Sequence, residues 1–358
     1  MGVYTTINDG SAHFTTTLYT GNGQDNRAIT NSANAGNFQP DWLWYKERSS
    51  NSNPRSFNSS TGASERLEPN DTTAMTTDTS NVKSFNTNGF TVGTSGSTNA
   101  NGDTYAAWQW KANGGNKTSF SASGSQLAGT YQANTTAGFS LVTYTGNGSS
   151  DSTIPHGLGV MPEYVVVKNT GDVDEWVSNG SVLGDYCRLH PNGGSSKACG
   201  QGSHDYIKYP GTDATNLLTG VSHNRSNANG DSYIAWCFAS KQGYSKLGTY
   251  TGNGNADGSF VYTGFKPAFL LRKRLDTAGD WIVTDSTRDL TNVSDKNLYR
   301  NLNYAEYSGA ETKYDILSNG FKMRGNWAST NASGGSYFYM AFASNPFITS
   351  DGVPTTAR

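Results

Sequence analysis

The pentapeptide Tyr-Thr-Gly-Asn-Gly occurs three times in this chain, and this repetition constrains the fold more than any other feature of the sequence. The copies are Tyr19–Gly23, Tyr144–Gly148 and Tyr250–Gly254. Three identical pentapeptides are hard to obtain by chance. Repetition at a fixed period indicates repeated structural units, so the rest of each interval should contain further matching segments.

Two further blocks recur at matched positions. An apolar block begins with Pro and has Lys as its sixth following residue, in Pro40–Lys46, Pro162–Lys168 and Pro267–Lys273. An aromatic closing block then follows, and its tyrosine lies 86 residues after Tyr19 (Tyr105), 89 after Tyr144 (Tyr233) and 87 after Tyr250 (Tyr337). This near-constant spacing predicts three homologous units.

The composition of the units is typical of strands and turns. Phe139–Thr143 is rich in β-formers and leads into a Gly-Asn-Gly turn, and Asn-Gly precedes the first two closing blocks. A unit of about 100 residues is too long for a solenoid coil but matches a complete β-sandwich domain. We therefore predict an all-β chain of three tandem β-sandwich repeats, jelly-roll or lectin-like. The predicted boundaries are 1–114, a linker at 115–138, 139–240, and 241–358 with a C-terminal tail. The polar composition of the linker is compatible with an extended segment or with an extra strand.

The near-neutral net charge argues against two classes of binding partner. Charged residues make up 15% of the 358, and the formal net charge is −2. This balance does not favour nucleic acid or an anionic membrane surface. No segment approaches the roughly 20 apolar residues of a membrane span, so membrane insertion is not expected.

The aromatic positions are the first candidates for a binding site. Trp108 and Trp110 share one face of a strand, as do Trp42 and Trp44, and both columns stay large and apolar in all copies. These columns indicate core. Trp176 and Trp281 each follow a charged, turn-like stretch, so they are the candidates for partly exposed rings that stack on a glycan.

Motifs for catalysis and for cofactors or metals are not found. The chain has no nucleophile elbow, P-loop or H-E-x-x-H motif, and nothing nominates a glycosidase carboxylate pair. We therefore expect a non-enzymatic protein without cofactor or metal.

Two weak metal alternatives remain open at this stage. Oxygen-rich loops around Asp25, Asp151 and Asp257 could hold calcium, but turn chemistry explains them as well. Residues in the middle of the second unit, including two of the three cysteines, could hold a transition metal; they are Cys187, His190, Cys199 and His204. An odd number of cysteines argues against a disulfide framework, so free thiols are expected, although Cys187 and Cys199 could pair.

These motifs together resemble an uncharacterised family encoded by tailed phages, especially those of aquatic bacteria, in virion structural or tail-associated genes. The resemblance rests on the pentapeptides, Ile154–Gly159, Gly264–Pro267 and Tyr337–Ala343. It spans nearly the whole chain, and the family offers no catalytic residues to carry over. It implies a virion component assembled in the host cytoplasm and exposed on the extracellular particle.

The leading functional hypothesis is a tail fibre or receptor-binding component. Its expected partners are other virion proteins, further copies of itself in a homo-oligomer, and a host cell-surface glycan. The alternatives are a capsid decoration (cement) protein and a glycan depolymerase. Loops carry specificity on a fixed scaffold, so Ser178–Gly220 is the expected variable region.

Overall fold

The structure is a computed structural model that describes residues 4–31, 37–201, 206–220 and 223–355. The predicted all-β fold is confirmed. Regular helix is limited, within these ranges, to α1 (Gly96–Asn99), α2 (Ala328–Asn331) and three single 3-10 turns at Gly10–Ala12, Ser181–Leu183 and Ala310–Thr312.

The strands fall into three units of successive strands. The first unit contains β1 (Phe14–Thr20), β2 (Arg27–Thr30), β3 (Trp42–Glu47), β4 (Arg55–Asn58), β5 (Gly62–Leu67), β6 (Thr76–Thr77), β7 (Val82–Asn86), β8 (Gly89–Val92) and β9 (Thr104–Trp110). The second contains β10 (Thr118–Phe120), β11 (Ala128–Asn134), β12 (Phe139–Thr145), β13 (Thr153–Pro155), β14 (Tyr164–Asn169), β15 (Val177–Asn179), β16 (Cys187–Leu189), β17 (Ala198–Cys199), β18 (Asn216–Leu218) and β19 (Ser232–Phe238). The third contains β20 (Ser245–Thr251), β21 (Phe260–Tyr262), β22 (Phe265–Arg274), β23 (Trp281–Asp285), β24 (Lys296–Tyr299), β25 (Tyr307–Ser308), β26 (Tyr314–Leu317), β27 (Gly320–Met323) and β28 (Ser336–Pro346).

Each unit has one large antiparallel sheet, and the three large sheets share a strand order. The orders are β1-β9-β3-β4-β5-β6, β12-β19-β14-β15-β16-β17 and β20-β28-β22-β23-β24-β25. In every sheet the pentapeptide strand pairs with the closing strand, and the tyrosines of the two motifs lie opposite each other; the pairs are Tyr19↔Tyr105, Tyr144↔Tyr233 and Tyr250↔Tyr337. The recurrent spacing therefore corresponds to one recurrent strand pairing.

A smaller sheet covers the outer face of each large sheet. These outer sheets are β2-β8-β7, β13-β18 and β21-β27-β26. Because side chains alternate along a strand, Leu43 and Tyr45 point into the outer core of the first unit while Trp42 and Trp44 point the other way. Each unit is thus β-sandwich-like, with its own apolar layer between the two sheets.

The inner faces of the three large sheets meet in one shared core. Aromatic rings touch across every pair of units: Trp42 and Phe139 lie 6.0 Å apart, Trp110 and Phe269 5.3 Å, and Tyr164 and Phe338 4.8 Å. The inner-face residues of this shared core include Phe14, Trp42, Trp44, Trp108, Trp110, Phe139, Leu141, Tyr164, Val166, Trp236, Phe238, Leu247, Phe269, Leu271, Met340 and Phe342. The prediction that the tryptophan columns are core is confirmed, and the units form one three-sided body.

The segment 115–138, expected as a linker that is either extended or forms an extra strand, contains two strands. In this segment β11 pairs along the full length of β12, and β10 pairs with β11, so both extend the second large sheet. Val142 and Ser140 of β12, which lie opposite Tyr131 and Ala133 of β11, are fully buried. The segment is therefore part of the fold of the second unit.

Two further features complete the architecture. The N-terminal segment docks on the third unit, where Tyr4 donates to the carbonyl of Gly264 and Asn8 Nδ2 donates to Ser350 Oγ at 2.8 Å. In the part of the chain that the structure describes, no helix has the length and apolar character needed to cross a membrane.

Candidate functional site

The two tryptophans that the sequence nominated for glycan stacking are buried. Trp176 is 2% exposed and Trp281 0%. Their indole Nε1 atoms donate to backbone carbonyls of the preceding unit, at Asp71 and Gly193 respectively, both at 3.0 Å. The guanidinium carbon of Arg300 lies 5.0 Å from the Trp176 ring centre and 5.9 Å from that of Trp281. The expected partial exposure was wrong, because a loop of the neighbouring unit covers each ring.

The recurrent lysines lie at one end of the shared core. Lys46, Lys168 and Lys273 are fully buried, and burial lowers the pKa of each to about 8. Their Nζ atoms donate to backbone carbonyls, including those of Glu47 (2.7 Å) and Gly279 (2.7 Å). The lysines of the second and third units also reach carbonyls of the preceding unit. The recurrence of Lys after the apolar block therefore has a structural cause.

The recurrent pentapeptide loops are held by a buried asparagine that the motif analysis missed. The side-chain oxygens of Asn99, Asn227 and Asn331 accept from the backbone N–H of the pentapeptide asparagine at 3.0, 2.9 and 3.0 Å. All three asparagines are fully buried. A recurrent pattern could have identified these asparagines, since in each unit Asn-Ala is followed two residues later by Gly. The three occurrences are Asn99–Gly102, Asn227–Gly230 and Asn331–Gly334.

The stacked tyrosines complete this structural explanation of the motifs. The ring pairs Tyr19–Tyr105, Tyr144–Tyr233 and Tyr250–Tyr337 stack with centroids 5.0, 5.0 and 4.9 Å apart. Each closing-strand tyrosine hydroxyl donates to one carbonyl and accepts from one backbone N–H of the turn before it. The most specific residues of the repeat thus stabilise the fold.

The candidate calcium loops are explained by ion pairs. The carboxylates of Asp25, Asp151 and Asp257 lie 2.6, 2.8 and 2.6 Å from lysine Nζ atoms. The lysines, Lys83, Lys208 and Lys322, come from other segments of the same unit. A loop whose acidic group is neutralised in this way does not offer the several free oxygens that calcium requires.

The structure also changes the interpretation of the candidate transition-metal cluster. Cys187 and Cys199 form a disulfide between β16 and β17, so the expectation of free thiols there was wrong and neither sulfur is a thiolate ligand. His190 lies 3.1 Å from a Glu175 carboxylate oxygen, and His204 lies outside the described residues. Among the described residues, no three His, Cys, Asp or Glu side chains are grouped as a metal site.

Exposed apolar side chains identify a different surface. Seven of the ten large hydrophobic residues that are exposed among the described residues belong to the third unit. Those seven are Phe260, Tyr262, Leu290, Val293, Tyr304, Tyr307 and Val353. The other three, Val160, Met161 and Val173, lie in the second unit before the region where specificity was expected.

Two of these residues form an aromatic platform on the outer sheet of the third unit. Phe260 and Tyr262 lie two residues apart on β21, so both rings project to the solvent side, and they are 48% and 59% exposed. Across the strand pair they lie opposite Lys322 and Gly320 on β27. Gly320 has no side chain, and the Phe260 ring packs beside it, because a Cβ there would lie only 3.1 Å from Phe260 Cε2.

A groove adjoins the platform and uses Tyr262 as one wall. Its volume is about 280 Å³, and its lining comprises Tyr4, Ser240, Gln242, Gly243, Ser245, Lys246, Tyr262, Thr263 and Gly264. Burial, followed by a hydrogen bond with Tyr262, raises the pKa of Tyr4 to about 12, and the neutral hydroxyl donates to the Gly264 carbonyl. The groove therefore combines two tyrosine walls with amide, hydroxyl and ammonium groups.

A larger groove, with a volume of about 600 Å³, lies between the first and third units. Its lining is mainly hydroxyl-bearing, with Ser11, Thr15, Thr16, Ser286, Thr287 and Ser344. Asp9 supplies the acidic side chain in that lining, and its Oδ1 accepts from Ser11 N–H at 2.9 Å. A two-carboxylate hydrolytic site does not fit a lining with one carboxylate.

Comparisons with known proteins place the chain in a family. The family described as a domain of unknown function (DUF7483) matches residues 9–346, so the chain belongs to it. Neither the search among curated proteins nor the search among solved structures finds a match.

Proposed function

We propose that this DUF7483 protein is a non-enzymatic structural component of a phage virion that acts in a tail fibre or as a receptor-binding subunit. The link to phages rests on the sequence resemblance. The observation that carries the binding role is the concentration of exposed apolar side chains on the third unit, with the platform of Phe260 and Tyr262 at its outer sheet. Exposed aromatic clusters of this kind mark interaction sites.

The use of the recurrent residues supports a structural role. The tyrosines, asparagines, lysines and tryptophans that recur at matched positions form the core or hold the loops, as described above. A chain that uses its most specific residues in this way keeps a fixed shape. A fixed scaffold with variable surface positions is typical of binding proteins, because the scaffold positions the side chains that contact a partner.

The contacts between units also support a rigid component. Hydrogen bonds join neighbouring units around the body: Trp236 of the second unit donates to Asn58 of the first, and Lys273 of the third donates to Gly194 of the second. Arg48 of the first closes the ring through Glu306 of the third, at 3.0 Å. Such a body transmits orientation from one end to the other, as a fibre subunit must. Its proposed partners in the particle are other virion proteins and further copies of itself.

A second candidate is capsid decoration, which one observation favours. Three similar sheets around a shared core give the chain three related faces. A body with three related faces can match a local threefold arrangement of shell subunits, because symmetric targets select repeated contact surfaces. The docking of the N-terminal segment on the third unit is less favourable to this role, since a cement protein is expected to extend an arm onto a neighbour.

Localisation in the purified particle tests the proposal. Virions are purified, the chain is identified by mass spectrometry, and its density is located by cryo-electron microscopy at side-chain detail. Density at the tail tip or fibre, with the third unit outermost, is the expected result. Density on the shell selects the decoration role, and absence from purified particles rejects both virion roles.

A further inference from the structure

We propose that the platform of Phe260 and Tyr262 and the groove beside it form a carbohydrate-binding site. The inference deepens the proposed function and rests on it for the source of the glycan, which is the host surface. The site lies in the third unit, whereas the sequence nominated Trp176 and Trp281, which are buried.

The arrangement of the two rings is the first argument. Both side chains leave the same strand on its solvent side, and β27 contributes Gly320 opposite Tyr262. The ring faces carry negative partial charge. The C–H groups on one face of a pyranose carry positive partial charge, so a sugar ring can stack on such a face while its hydroxyls point outward.

The polar groups around Tyr262 are the second argument. Sugar hydroxyls lose water on binding and need new hydrogen-bond partners, because an unsatisfied polar group is costly. The groove supplies an exposed amide from Gln242 and an exposed ammonium from Lys246, whereas the Tyr4 hydroxyl already donates to the Gly264 carbonyl and is hydrogen-bonded with Tyr262. These groups can donate and accept in several directions.

The size of the groove is the third argument. A volume of about 280 Å³ lies just below the roughly 300–1,000 Å³ of ordinary small-molecule pockets. The groove opens beside the platform through the shared wall of Tyr262. The surface therefore accommodates one sugar on the rings and a second in the groove. This arrangement favours an oligosaccharide over a single monosaccharide.

The charges around the platform favour a sugar over a nucleic acid. Asp257 forms an ion pair with Lys322 at 2.6 Å, and Asp315 lies 3.5 Å from Arg324. Because a cation pairs with each carboxylate, these two ion pairs add no net positive charge that would attract a phosphate backbone. The charged side chains of these ion pairs lie beside the two rings and limit the apolar area. The platform is therefore not the broad apolar groove that binds the apolar face of an amphipathic helix.

The platform is specific to the third unit. The corresponding solvent-side positions are Ala28 and Thr30 on β2 of the first unit and Thr153 and Pro155 on β13 of the second. Neither pair contains an aromatic ring. The structural requirements of the outer strand are thus met without aromatics in two units, so fold stability alone does not explain Phe260 and Tyr262.

Binding of the full chain to an immobilised panel of neutral and acidic oligosaccharides tests the proposal. Tyr262→Ala and Phe260→Ala should each weaken binding about tenfold or more, which corresponds to about 1.4 kcal/mol. Tyr304→Ala is the matched control, because Tyr304 is 53% exposed on the same unit but lies outside the platform and groove. Tyr262→Phe retains the ring and should retain most of the binding.

Three outcomes would overturn the site. These are no binding of the wild-type chain to any member of the panel, equal binding by wild type and both alanine variants, or an equal loss in Tyr304→Ala. Thermal unfolding of each variant separates misfolding from lost contact. Adsorption of the protein to host cells before and after periodate oxidation of their glycans adds a second readout, and unchanged adsorption would point to a protein receptor. Virion localisation is measured separately, so a failed glycan site leaves the virion proposal standing.

Discussion

The indole Nε1 of Trp108, in the first unit, donates a hydrogen bond of 3.0 Å to Oδ2 of Asp285, in the third. The same carboxylate pairs with Arg288 at 2.6 Å, and both charged side chains are completely buried. Arg288 lies 5.8 Å from the centre of the Trp108 ring and also reaches Glu306 at 2.9 Å. One buried carboxylate thus joins two distant parts of the chain.

Loss of this carboxylate should destabilise the whole fold. Asp285→Ala removes one partner of a buried guanidinium and leaves an indole N–H without its acceptor, so unfolding should require about 3–5 kcal/mol less free energy. Urea denaturation followed by tryptophan fluorescence measures the change. Asp257→Ala, which removes an exposed carboxylate, is the control and should have little effect. Equal effects of the two variants would mean that the buried contact contributes no special stability.

The shared core predicts a single unfolding transition. The inner faces of the large sheets carry Trp44, Phe269 and Met340 into one cluster, so no unit can keep this face covered alone. Differential scanning calorimetry should give one peak with equal calorimetric and van't Hoff enthalpies. An isolated fragment of residues 241–358 should bind a hydrophobic dye or aggregate. Three separate transitions, or a stable monomeric fragment, would contradict a shared core.

The sequence predicted the features that depend on residues within one unit. Alternation along β3 places Trp42 and Trp44 on one face, and the recurrence of large residues at these positions identified that face as core. The all-β fold followed from the same patterns together with the turn residues. The matched spacing of Tyr19 and Tyr105 reflects their direct pairing across two strands.

The features that sequence analysis missed depend on contacts between units or segments. Trp176 follows a charged turn, which suggested exposure, but its cover comes from the loop at Asp71 in another unit. The pairing of Cys187 with Cys199 depends on β16 and β17 lying side by side. The sequence of β21 alone does not show that Phe260 and Tyr262 are exposed. The same alternation of residues occurs in strands whose aromatic face is buried. Only the position of β21 on the outer surface shows that these two rings face solvent.

The buried lysines predict stability that increases with pH. Burial lowers the pKa of Lys46, Lys168 and Lys273 to about 8 in the folded chain, against an ordinary value of 10.5. Between these values the unfolded chain binds more protons, so the free energy of unfolding should rise from about pH 8. Burial raises the pKa of Tyr144 and Tyr250 above 10, so unfolded tyrosines ionise first and the trend should reverse above about pH 10.

Urea denaturation at intervals from pH 7 to pH 10.5 measures this trend. Lys46→Met should reduce the slope between pH 8 and pH 10, because Lys46 Nζ donates to a single carbonyl and a methionine fills a similar volume. Exposed Lys246, changed to Met, is the matched control and should leave the slope unchanged. A flat profile in the wild-type chain would mean that the three ammonium groups keep their ordinary pKa.

The cysteine arrangement predicts a fixed thiol count. Cys187 and Cys199 are joined, whereas Cys237 is free, fully buried and has a thiol pKa raised by burial. Ellman's reagent should detect no thiol in the native chain, one after denaturation without reductant, and three after denaturation and reduction. A disulfide that closes a loop of this size contributes about 3 kcal/mol, so Cys187→Ala with Cys199→Ala should lower stability by up to that amount. Three thiols before reduction would contradict the pairing.

The buried asparagine of the third unit predicts a local and measurable effect on its pentapeptide loop. Asn331 accepts from Asn253 N–H at 3.0 Å and donates to the carbonyls of Asn255 and Gly325 at 2.9 and 2.8 Å. Asn331→Ala leaves these buried groups without partners, which should cost about 1–3 kcal/mol. Hydrogen exchange at the Asn253 amide should accelerate, because that N–H loses its acceptor.

Exposed Asn303, changed to Ala, is the control and should leave both stability and exchange unchanged. Because Asn99 and Asn227 make the matching contact in the other units, their alanine variants should lose similar stability and free the amides of Asn22 and Asn147. If the three variants lose similar stability and each exposes only its own loop amide to exchange, each asparagine holds its own loop independently of the others. If only one of the three destabilises the chain, the recurrent asparagine does not have the same role in every unit.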